Sequence, residues 1–151
     1  MEFILFLSKI DKEIIELINK SNYSIEENTA LCSIDKKFVG FFKKKQKSIV
    51  ICTENAKKIG GYQKNKYSEN HKTKIYIRRA LRHEATHLVQ SCNKNKPTGL
   101  VKNIGKKIHK GKLKALKASV QLTGNYHKEI EAYVMEDKPR KVREMLQTYC
   151  L

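Results

Sequence analysis

The chain has no tryptophan, only two prolines and only seven glycines in 151 residues. So few breakers leave no room for a long flexible linker, and no internal repeat divides the sequence, so one domain spanning residues 1–151 is expected. No apolar run approaches the roughly 18 residues of a membrane span. The segment Phe3 to Leu7 is too short for a leader, follows an acid where a basic region belongs, and lacks a small-residue cleavage site. The expectation is a soluble, intracellular protein without a membrane partner, in the cytoplasm or, if viral, the host cytoplasm.

Cysteine is sparse and dispersed. Cys32, Cys52, Cys92 and Cys150 form no Cys-x-x-Cys pair, which argues against a four-cysteine zinc site. With no secretory signal, buried free thiols are expected in preference to a disulfide framework. Arginine is scarce too: five of 32 basic residues, the other 27 being lysine, in a chain of net charge +17. A basic surface attracts phosphate, so nonspecific nucleic-acid contact is one expected interaction. Lysine lacks arginine's planar fork, however, and the isoleucine- and asparagine-rich mixture is what an AT-rich coding sequence yields. The lysines of "KKFVGFFKKKQKS" equally suit a solvated hairpin guarded against edge-to-edge pairing.

What is present is mostly helical periodicity. Leu7, Ile10, Ile14, Leu17 and Ile18 form one stripe over residues 7–19. The runs "ALCSI", "FVGFF" and "SIVICT" read as strands, the last two joined as a hairpin through "KKKQK". The double glycine of "IGGYQKN" marks a turn, and residues 64–72 an exposed loop. From about Thr73, Ile77, Ala80, Leu81, Glu84, Leu88 and Cys92 repeat with a 3.6-residue period until "NKNKPTG". Leu100 to Leu122 is expected to be helical in pieces. "TGNYHKEIEAYVMED" reads as another helix, and Pro139 suits the first turn of a last one ending near Tyr149. The class is α+β: a small antiparallel or mixed sheet packed on one long helix, followed by a helical C-terminal half.

The long helix carries "HEATH". Residues i and i+4 lie one turn apart on one face, so His83 and His87 can address one ion. Glu84, about 100° further round, misses the ion but reaches a water bound to it. Zinc takes imidazole nitrogen readily and a catalytic site leaves a position for water, so Glu84 is the expected general base. This chain's five histidines and twelve glutamates would spell HExxH by chance roughly once in a hundred such sequences.

No third histidine follows at short spacing. The downstream segment "HKEIEAYVME", His127 to Glu136, resembles the second motif of the zincin metallopeptidases of gluzincin type, where a later helix presents a glutamate to the metal. The HExxHxxQ form, with Gln90, is similar to that of small zincin-like domains of phage and bacterial proteins. The resemblance covers roughly residues 48–137, with specific identity confined to the two motifs. It implies a zincin-like fold with a strand-edged cleft, one Zn2+ held by His83, His87 and a glutamate, and hydrolysis of a peptide or protein substrate by a monomer. Glu129 is favoured as third ligand because it occupies the first position of Glu-x-x-Ala and shares its face with Ala132, Tyr133 and Glu136. Glu131 and His127 stay open as alternatives. Glu129 and Glu131 stand some 200° apart, so both cannot face one ion. Tyr126, His127 and Tyr133 are candidate oxyanion donors. The substrate-pairing edge strand falls in "IGGYQKN" or "SIVICT". The alternative readings are a basic nucleic-acid-binding protein, or a DNA-associated protease similar to the SprT and Spartan proteins, which share HExxH and charge.

Overall fold

The computed structural model describes residues 1–66, 70–101 and 108–151. Among these, six α-helices surround a three-stranded mixed sheet, and the α+β class stands. The first helix, α1 (Lys9–Lys20), starts at a capping box in which Ser8 and Asp11 exchange side-chain and backbone hydrogen bonds. It buries Ile14, Leu17 and Ile18 as its periodicity requires. Strands β1 (Ser24–Glu27), β2 (Gly40–Lys43) and β3 (Ser48–Ile51) lie in the order β1-β3-β2. The β2–β3 hairpin is antiparallel, with Gly40 opposite Ile51, whereas β1 runs parallel to β3.

The central strand is buried on both faces. Ile49 and Ile51 join the main core, and Val50, fully buried on the opposite face by strand alternation, pairs in register with Phe41. Three further elements correct the sequence reading. "ALCSI" is a 3-10 turn, Ala30–Ser33, and the missing strand is "SIEE". "SIVICT" ends as a strand at Ile51, because Thr53–Gly60 forms a helix, α2, capped by Gly61 in the left-handed region at φ 63°. The expected loop 64–72 is entered by the next helix at His71, and Asn70 is buried, exchanging two 2.8 Å hydrogen bonds with the Gln63 backbone. Residues 67–69 of that stretch, and 102–107 of the piecewise helix, lie outside the described residues.

Helix α3 (His71–Cys92) is the spine. Ile77, Leu81, Ala85, Leu88 and Val89 are fully buried along it, and it touches α1, α2, β2, β3 and two later helices. Helix α4 (Leu113–Thr123) packs on α5 (Tyr126–Met135) through a small separate core of Leu116, Ile130 and Tyr133. Helix α6 (Pro139–Cys150) returns across α1 and α3. One buried ion pair locks this assembly. Arg82 Nε and Nη2 reach the two oxygens of fully buried Asp11 at 2.8 and 3.1 Å, and its Nη1 donates to the Glu136 carbonyl at 2.9 Å. No helix among the described residues is long and apolar enough to cross a membrane.

The cysteines depart furthest from expectation. Cys32 is bonded to Cys52 and Cys92 to Cys150, leaving no free thiol. Dispersed spacing concealed both bridges, because each joins segments that only the tertiary fold brings together. Iodoacetamide should label no cysteine in urea-unfolded, unreduced protein and four after reduction. Reduction should cost roughly 3–4 kcal/mol per bridge in the chain-entropy picture. Labelling without reductant would restore the free thiols.

Asp11→Ala leaves the Arg82 guanidinium buried without its counter-charge. The urea midpoint should fall by the equivalent of about 3–5 kcal/mol. A shift under 1 kcal/mol would mean that the pair is not holding α1 to α3.

Candidate metal centre

On α3, His83, His87 and Gln90 follow one another at spacings of four and three, so their side chains stack along one face. Helix α5 crosses this face and presents Glu129 and, two turns on, Glu136 just past its C-terminal end. Ala132, fully buried between them, lets the two helices approach closely.

The hydrogen bonds assign the imidazole tautomers. Gln90 Nε2 donates to the Lys128 carbonyl and to Glu131 Oε1, both at 3.0 Å, so its Oε1 is the atom that faces His87. That oxygen lies 2.9 Å from His87 Nδ1 and can only accept, so the proton of neutral His87 sits on Nδ1. Glu136 Oε1 lies 3.1 Å from His83 Nδ1 and imposes the same choice there. In its neutral form each ring then has its lone pair on Nε2, the nitrogen that faces Glu129. The two Nε2 atoms are 3.2 Å apart. Glu129 joins them, with Oε2 2.9 Å from His87 Nε2 and Oε1 3.6 Å from His83 Nε2. Oε2 is off line for a hydrogen bond and, though buried, has no hydrogen-bond partner among the described residues.

Three potential ligand groups thus converge, with His87 Nε2 also 3.3 Å from Glu129 Oε1. Ligand atoms of His83, His87 and Glu129 all lie within 4.8 Å of one another, and the group could hold a metal ion. Burial opposes charge on His83, but the Glu129 and Glu136 carboxylates outweigh it and raise the imidazole to about 10. Burial likewise opposes charge on Glu129, and hydrogen bonds from both histidines overcome it, holding the carboxyl far below the usual range. Burial dominates Glu84 and pushes it up, against the opposing pull of the two histidines. A divalent ion suits this donor set and its buried carboxylates, and the carboxylate and amide on the far ring nitrogens are what orient metal-binding histidines elsewhere.

The centre lies in a cleft of about 1060 Å³. One wall is β2 and the residues before it, with the Phe42 ring stacked 6.2 Å from His87; the other is α4, through Ala115, Ala118 and Leu122. Glu84 lines the same cleft. Glu131 does not. It is buried, accepts from the backbone N–H of Thr98 and Gly99 and from the Thr98 hydroxyl, and steadies Gln90. Neither glutamate is a solvent-exposed carboxylate: Glu129 is 3% and Glu131 1% exposed. Helix α5 is buried on nearly every side from Glu129 to Met135, so amphipathicity could not rank them.

The three candidate oxyanion donors fare differently. Tyr133 packs edge-on against His83 at 4.5 Å, but its hydroxyl donates to the Ala115 carbonyl and is bonded to Ser119 Oγ at 2.6 Å, turned into α4. Tyr126 is exposed, and exposed His127 lines a small hollow beside Pro97 and Val101. Reading the sequence placed Glu136 on the face of Glu129, by its two-turn spacing, but gave it no role. It missed Lys112, which bridges Glu136 and Asp137 at 2.8 and 3.0 Å and for which no local pattern speaks. The strand edging the cleft is "GFFK": "SIVI" is the central strand, and "IGG" closes α2.

Residues 3–151 match a family described as a domain of unknown function, DUF8637, and the chain belongs to it. No curated protein and no solved structure matches the chain.

If His83, His87 and Glu129 hold a metal, replacing Glu129 by Ala removes one candidate ligand, and divalent-metal affinity should fall by at least about 100-fold. Glu131→Ala leaves the ligands but frees Gln90 from its anchor, so a loss of about 10-fold, at the lower end for outer-shell partners, is expected. Competition titration against a chromophoric chelator measures both. A larger loss in E131A than in E129A would relocate the carboxylate ligand.

Proposed function

We propose that this protein is a zinc-dependent metallopeptidase whose ligands are His83, His87 and Glu129 and whose general base is Glu84. The observation that carries the reading is the convergence of His83 Nε2, His87 Nε2 and the buried Glu129 carboxylate, one oxygen of which has no hydrogen-bond partner among the described residues, with the buried Glu84 carboxylate on the same open cleft. A nitrogen-rich, three-residue set with room for water is the donor pattern of catalytic zinc, which when bound polarises a substrate carbonyl and acidifies water. Glu84 accepts a proton from the attacking water and delivers it to the leaving nitrogen. Glu136 and Gln90 keep both imidazoles in the tautomer and orientation that the ligand role requires. These placements give the zincin resemblance its support beyond the two motifs.

The substrate is read as a peptide. Among the described residues strand β2 pairs only with β3, so its other edge offers backbone groups along the cleft to an extended chain. Phe38, Phe42 and Leu122 supply apolar surface on both sides of it. The site of action is read from the bridges: two disulfides favour an oxidising compartment over the reducing cytosol that was first expected.

The test is Glu84→Gln, which keeps size and removes the base. The purified protein should carry about one zinc per chain in both forms, while hydrolysis of a broad peptide library falls by about 100-fold or more in the variant. Equal cleavage by the two proteins would assign the activity elsewhere, and wild-type protein that binds no zinc would end the reading.

A further inference from the structure

Glycine at position 40 has no backbone reason to be there. Positive φ angles occur among the described glycines at Gly61, Gly99 and Gly124, not at Gly40, so any residue could adopt its backbone conformation. Nor is the position open. A Cβ built at residue 40 would lie 2.9 Å from Glu84 Cγ, 3.1 Å from Glu84 Oε1 and 3.3 Å from Ala80 Cβ. The contrast with Gly60 is informative. There a Cβ would meet the Thr73 hydroxyl and also the Thr73 backbone at 2.7 and 2.9 Å, so that glycine serves the close packing of α2 on α3. At Gly40 the nearest neighbour is the side chain of one residue, the proposed general base.

We propose that Gly40 is a positioning residue for Glu84: the missing side chain at the head of the edge strand is the space in which the Glu84 carboxylate lies. This rests on the function proposed above. Helix α3 cannot retreat to make room, because the Arg82–Asp11 pair and the buried side chains of Leu81 and Leu88 hold it against the core. The strand cannot retreat either, since Gly40 is in register with Ile51 of the central strand and the segment before it is tied back by Asn55 Nδ2 donating to the Phe38 and Cys32 carbonyls, each at 2.9 Å. An added methyl group must therefore turn the Glu84 side chain. The carboxylate would leave the cleft-side position from which it reaches water, while His83, His87 and Glu129 keep theirs. Gly40 touches no substrate; it acts through Glu84.

The test is a double-mutant cycle read in two ways. In zinc-loaded protein, Gly40→Ala should lower kcat about 10- to 100-fold, the scale expected for displacing a catalytic group by about 1 Å, with KM within about twofold and zinc content unchanged. In the E84Q background the same change should cost no further activity. In metal-free protein, where activity plays no part, G40A should lower Tm by roughly 2–4 °C when Glu84 is present and by less than about 1 °C in E84A, because only the former must be displaced. If G40A alone fails to fold, folding of G40A/E84A supports the proposal and failure of both overturns it. An equal Tm loss in both backgrounds would transfer the effect to Ala80 and the backbone and overturn the proposal, as would unchanged kcat in G40A. The two readings fail separately: wild-type protein without zinc or hydrolysis defeats the metallopeptidase, whereas an active wild type with an equally active G40A defeats only the role of Gly40.

Discussion

The Arg82 guanidinium is the constraint from which the site's geometry follows. It spends two nitrogens on the buried Asp11 carboxylate and a third on the Glu136 carbonyl, so one planar group ties α1, α3 and the end of α5 together. Planarity matters here, since a lysine could satisfy one of these partners but not all three at fixed angles. Arg82 directly precedes His83, and the carbonyl it grips belongs to the residue whose carboxylate holds His83 Nδ1. Asp11 is committed from the other side as well, through its capping box with Ser8. The crossing of α3 and α5 is thereby set to within hydrogen-bond tolerance, the precision that converging ligands demand.

Around that crossing the structure buries much polar material, and nearly all of it is paired. Glu131 holds Gln90 and the 98–99 backbone; Lys112 holds Glu136 and the Tyr133 carbonyl; Tyr133 is bonded to Ser119. Each pairing fixes the rotamer of a residue that touches a histidine. The Cys92–Cys150 bridge lies two residues beyond Gln90 and fastens the end of α3 to α6. Glu129 is the exception, with one oxygen buried and unpartnered. A fold that pairs the buried carboxylates of Asp11, Glu131 and Glu136 and leaves one Glu129 oxygen open, beside two imidazoles, concentrates its electrostatic cost where a cation would relieve it.

Much of the fold was legible in local patterns. The stripe of Ile14, Leu17 and Ile18, the hairpin around "KKKQK", and the last helix from Pro139 were readable because each meets the core in a simple amphipathic way. Strand β1 was not, since "SIEE" has a single apolar side chain and owes its strand to pairing with β3 across some twenty residues. Helix α2 was hidden behind β-branched residues that continue the strand signal into Cys52 and Thr53. The disulfides were missed because pairing depends on Cα separations of 5.6 and 5.4 Å that sequence spacing does not encode.

The sequence by itself determined the helical periods, the α+β class and the placement of His83, Glu84 and His87 on one helix, because those follow from the 3.6-residue turn. Only the tertiary structure decided which carboxylate approaches the histidines. Glu129 and Glu131 sit on a helix buried almost all round, so local polarity carried no preference between them. The crossing with α3 turned Glu129 to the imidazoles and Glu131 to Gln90 and the Thr98 backbone. The tautomers, the Lys112–Glu136 support and the space at Gly40 belong to the same level. Each is a relation between segments far apart in the chain, and it exists only once packing has fixed their distance.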